Sequence, residues 1–126
     1  MTKQEIKNIV ELAVMYYEDD RYCLDLSEDV LELDERVNKP IQKAIASNDL
    51  TVIEYLENCT PQEQSYASVG IQQGLEQITA VNEGVIREGY ERAVNLYRKI
   101  AKKMALQVSA YNIFISISVH NNPSNA

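Results

Sequence analysis

The chain has no tryptophan, one phenylalanine, one histidine, two cysteines, three prolines and four glycines among 126 residues. Each shortage removes a class of explanation. So few Gly and Pro disfavour a fold made of many tight turns and favour long regular elements. His120 stands alone, and Cys23 and Cys59 form no CxxC pair, so no zinc set can be completed. Both thiols read as reduced and partly buried. Gly70, Gly74, Gly84 and Gly89 are spread through helical sequence and make no phosphate-binding loop. No apolar run approaches the roughly 18 residues that a membrane helix needs. Met1-Thr2-Lys3-Gln4-Glu5 lacks a secretion-signal pattern. A cytoplasmic protein without cofactor, metal or membrane partner is the expectation.

Charge of one sign is also scarce in the first half. Residues 1–60 hold 14 Asp/Glu against 6 Lys/Arg, a net of −8, whereas residues 61–126 hold 5 against 6, a net of +1. Direct nucleic-acid binding is disfavoured, because phosphate recognition runs on clustered Lys and Arg.

Helical spacing dominates what is present. Thr2-x-x-Glu5 has the form of a capping box, and Ile6, Ile9, Val10, Ala13 and Tyr17 share one face of a first helix ending near Asp19. Glu18, Asp19 and Asp20 crowd its C-terminal end, where the helix dipole prefers cations. Arg21–Leu26 alternates and reads as a short strand or an extended connector. Ser27 then fits an N-cap, and Val30, Leu33, Val37 and Ile41 form an apolar stripe interrupted by Pro40, which demands a kink or a stop. Thr60-Pro61-Gln62-Glu63 combines a Thr cap, Pro at the first helical position and Glu at the third, marking another helix start. Ala67, Ile71, Leu75 and Ile78 carry its inner face, and Gly70-x-x-x-Gly74 reads as a flat patch for close helix approach. A second stripe follows through Ile86, Tyr90, Ala93, Val94, Tyr97, Ile100, Met104 and Val108. Residues 61–109 are either one helix of about 70 Å or two.

Ile113, Ile115, Ile117 and Val119 alternate strictly and are β-branched, which predicts a strand over residues 111–119. Such a strand needs a partner edge, in this chain or another. The expected fold is therefore mostly α: an antiparallel bundle of four or five helices, with a short C-terminal strand.

No catalytic pattern emerges. The ExxE spacing of Glu32 and Glu35 lacks the histidines of a di-metal bundle and reads as a solvated acidic face. Eight of nine aromatics are tyrosine, a residue suited to core edges and to interfaces. Tyr16, Glu18, Asp19, Asp20, Tyr22, Glu28, Asp29, Glu32 and Glu35 are the expected partner-binding set, an acidic surface for a protein with a basic face. Ile113, Ile115, Ile117 and Val119 are the expected oligomer interface. The function expected is a non-enzymatic interaction module of inhibitor, immunity or antitoxin type. A self-assembling structural subunit and a binder of small ligands in a Tyr-lined interhelical pocket are the alternatives.

Overall fold

Helix starts in the computed structural model fall where the capping residues stand. The structure describes the backbone of residues 1–81 and 88–118, and the side chains of 1–78 and 88–105. Thr2 accepts from the Glu5 N–H, and the Glu5 carboxylate accepts from the Thr2 N–H, opening α1 (Lys3–Glu18) with a complete capping box. Replacing such a cap by Ala costs about 1 kcal/mol. Asp49 caps α4 (Leu50–Glu57) through the Val52 N–H. Thr60 and Glu63 form the same reciprocal pair before α5 (Pro61–Val81). The last helix, α6, runs from Glu88 to Ser118.

Between α1 and α4 the chain is helical from Ser27 to Ala46, in three parts: α2 (Ser27–Leu33), a π-helical turn (Asp34–Asn38) and α3 (Lys39–Ala46). Pro40 accounts for the turn. A proline has no N–H to give and its ring presses on the carbonyl four residues back, and the wider coil lets Lys39 N–H bond to Asp34 O instead. The interruption expected at Pro40 is thus a change of pitch within one rod. Ser27 is the first helical residue rather than the cap; Leu26 occupies the cap position and offers no side-chain bond.

The described residues form a bundle of five helical rods. Its core is Ile6, Val10, Ala13 and Tyr16 from α1, Ile41, Ala44 and Ile45 from α3, Val52, Ile53 and Leu56 from α4, Ala67, Ile71 and Ile78 from α5, and Ala93, Leu96 and Ile100 from α6, with Leu33 and Val37 completing it. The tightest seam joins α3 to α5. It is built on Gly70 and Gly74: a β-carbon at Gly70 would lie 2.8 Å from Asn38 O, and one at Gly74 would lie 2.5 Å from Ile45 Cβ. Gln64, 2% exposed, gives its Nε2 to Leu56 O at 3.0 Å and so closes the end of α4 against α5. Arg92 pairs with Glu57 and ties α6 to α4.

Of residues 61–109, those described fall in two helices, α5 and α6, packed on each other. Three expectations need correction. The strand over 111–119 is not formed among the described residues, since α6 stays helical through Ser118. Ile113, Ile115 and Ile117 lie on that helix, and Val119 lies outside the described residues, as do the side chains of all four. The intrachain edge that could have paired with them is absent, because residues 19–26 wind through turns: Tyr22 N–H bonds to Asp19 O and Leu26 N–H to Cys23 O. A helix satisfies its own backbone and needs no such edge.

Tyr16, not Tyr17, is the residue that turns inward. Positions 16 and 17 follow Ala13 at i+3 and i+4, and helical spacing favours neither. Tyr16 is 2% exposed and Tyr17 is 36% exposed. Val30 was expected on the inner stripe but is 45% exposed. The π turn is the reason: it inserts about one extra residue per turn, so the faces before and after it are out of step by close to the 100° of one α-helical residue.

Candidate functional site

The acidic residues singled out by sequence gather around the α1–α2 connection and α2, and most are engaged within the chain. The Tyr16 hydroxyl donates to the Glu32 carboxylate and accepts from Arg36 Nη1 at 2.9 Å. Arg36 also pairs with Glu32 at 3.2 Å, and its guanidinium lies 5.9 Å from the Tyr16 ring centre. The bond from Tyr16 holds the Glu32 carboxyl below its ordinary range, and burial, then the bond to Glu32, pushes the Tyr16 hydroxyl up. Tyr22 packs on Tyr16 with ring centres 4.5 Å apart.

The crowded end of α1 is resolved in the same way. Glu18 accepts from the Tyr66 hydroxyl at 2.9 Å, and that ring stacks on Tyr17. Asp19 takes the Arg21 fork at 2.7 Å, which holds its carboxyl below the usual value. Two of the three helix-end acids are thus engaged, Asp19 by the following loop and Glu18 by α5. Asp29 accepts from the Cys23 N–H at 2.6 Å and fastens the loop to α2, while Glu35 pairs with Lys39 at 2.6 Å.

Asp20 and Glu28 remain, and Asp25 beside them. All three are exposed and make no hydrogen bond or ion pair among the described residues. The sequence reading missed their apolar neighbours. Leu26, Val30 and Leu31 are 58%, 45% and 62% exposed. Leu26 stands at the cap of α2, Val30 lies on the helix, and Glu28 and Leu31 sit three residues apart, which makes those two surface neighbours on it. The start of α2 thus leaves aliphatic side chains exposed among carboxylates. The signal was in the sequence only as the proline that brings on the π turn and so changes the helix phase.

Nothing in this arrangement polarises a nucleophile. Burial, with Glu63 adding to it, pushes the half-buried Cys59 thiol up to about 11, which suppresses its thiolate. An open cleft of about 570 Å³ between α3 and the chain start is lined by Lys39, Pro40, Lys43 and Ala44 among others, without a tyrosine. A smaller one of about 320 Å³ includes Tyr55 and Cys59. Among the described residues, no helix is long and apolar enough to cross a membrane. No family model, curated protein or solved structure matches the chain.

Proposed function

We propose that this chain is a non-enzymatic protein-interaction module whose α2 edge receives a basic partner surface. One observation carries the reading: Leu26, Val30 and Leu31 stand exposed beside Asp25 and Glu28, whose charges are not used inside the described part of the chain. Exposed aliphatic side chains bring the burial energy of an interface, at about 25 cal/mol per Å² removed from water. Free carboxylates beside them steer and align a cationic surface. The tied-down residues have a different part in this reading. Tyr16, Tyr22, Asp29 and Glu32 hold α2 and its loop rigid, so that the edge is presented without an ordering cost.

Carbodiimide cross-linking of the tagged chain in an extract of expressing cells tests this without knowing the partner. Asp25 or Glu28 should be recovered joined to a lysine of another polypeptide, and the product should fade as salt is raised. Cross-links that gather elsewhere on the chain, with none on α2, would sink the reading.

A further inference from the structure

A second exposed surface, of opposite charge, lies on α6. Ile100 is the last residue of α6 described as buried; Lys102, Lys103, Met104 and Ala105 are all exposed, and the helix goes on to Ser118. Beyond Ile100 the helix covers about 27 Å at 1.5 Å per residue. Met104 lies one turn past Ile100 on the row that faces the core earlier in the helix, and it is 43% exposed. The core-facing row of α6 thus emerges uncovered at Met104. Lys99 and Lys103 flank that row, with Arg98 and Lys102 beyond them. All four are exposed, and none forms an ion pair among the described residues.

The two exposed surfaces differ in charge in a complementary way. α2 offers Leu26, Val30 and Leu31 edged by free carboxylates; α6 offers Met104 edged by free ammonium groups. Methionine adapts its shape to an aliphatic surface. The charges are opposite in sign as well: Asp25, in the turn before α2, and Glu28, in its first turn, would face Lys99 and Lys103, which stand one turn apart on α6.

We infer that the partner of the α2 edge is a second copy of this chain, which lays residues 99–104 of its α6 across that edge. This rests on the proposed reading of α2 and names its occupant. Made reciprocally, each copy giving an α6 and receiving one, the contact closes as a symmetric pair.

The test is light scattering behind size exclusion on four samples of the full chain: the parent, Asp25→Lys/Glu28→Lys, Lys99→Glu/Lys103→Glu, and the two variants mixed. These four exposed side chains make no hydrogen bond or ion pair among the described residues, so the variants should fold as the parent does. The parent should run at twice its 14.3 kDa mass at low salt and dissociate at about 0.5 M salt, where exposed charges are screened. Each variant alone should associate at least tenfold more weakly, because like charges then face each other. The mixture should recover the dimer, since each reversed α2 now meets a reversed α6. A parent that stays monomeric at low salt overturns the inference, and α2 cross-links to a different protein would then leave the proposed function standing. Association that ignores either reversal, or that fails to return on mixing, also overturns it.

Discussion

Gly74→Ala should destabilise this protein, although the same change in an exposed helix would stabilise it. A β-carbon at position 74 would stand 2.5 Å from Ile45 Cβ and 2.8 Å from the Gln42 carbonyl oxygen, where ordinary contact begins at 3.4 Å. Neither obstacle can swing aside, because one is a main-chain atom and the other is fixed to the main chain. α3 and α5 must therefore part by roughly 0.6–0.9 Å, and a gap of that size forfeits about a quarter to a half of the dispersion attraction of the atoms it separates. Overpacking of this kind costs about 1–3 kcal/mol. Replacing Gly by Ala within a helix returns about 1 kcal/mol, which leaves a net loss of up to about 2 kcal/mol. For a chain of this size each kcal/mol moves Tm by about 3–6 °C. Thermal and urea unfolding followed by far-UV circular dichroism would read the shift in both Tm and midpoint. A Gly74→Ala variant as stable as the parent, or more so, would refute the claim that this seam depends on the missing β-carbon.

Two more outcomes rest on side chains rather than on backbone contact. At Gly89 the added β-carbon meets Asn48 Oδ1 at 1.5 Å, the end of a side chain whose oxygen is buried without a partner; Gly89→Ala alone should lower Tm, and Asn48→Gly/Gly89→Ala should restore most of the loss. Position 48 has φ +59°, which glycine adopts freely, and equal Tm values for the single and double variants would contradict this. Tyr16→Phe should cost about 1 kcal/mol by removing a buried hydroxyl held between charged partners. Because the Tyr16 bond depresses the Glu32 pKa below its ordinary 4.5, that stabilisation is present above pH 4.5 and is lost as the pH falls through the lower folded value. The stability gap between parent and Tyr16→Phe should therefore narrow on acidification below 4.5, and a gap that stays constant in urea melts across that range would count against the Tyr16–Glu32 bond.

What could be read from sequence was what depends on neighbours close along the chain. Thr2-x-x-Glu5 and Thr60-Pro61-x-Glu63 each satisfy their donors within one turn, so the helix starts were legible. Gly70-x-x-x-Gly74 announced a close approach, because small residues one turn apart leave a flat strip wherever a second helix can use it. Long-range competition was not legible. The choice between Tyr16 and Tyr17 is made by Glu32 and Arg36 on another rod. The acids at the end of α1 broke the dipole rule only until Tyr66, 48 residues from Glu18, came to meet them. Strict alternation at 113–117 pointed to a strand, but alternation specifies a face to bury and supplies no neighbouring edge. The candidate site was half legible: its charges stood in the sequence, and its aliphatic row did not.

The π turn at Asp34–Asn38 works as a phase shifter between two halves of one rod. Ahead of it Val30, which an unbroken α-helix would have kept in line with Val37 and Ile41, faces solvent; behind it Ile41 and Ile45 remain in place. One added residue thus exports an aliphatic face while the interior keeps its own register. The converse is that deleting a single residue within 34–38 would rotate Leu26, Val30 and Leu31 away together without altering any of them. In this protein the identity of the outer surface is stored in the length of a segment as much as in the letters that compose it.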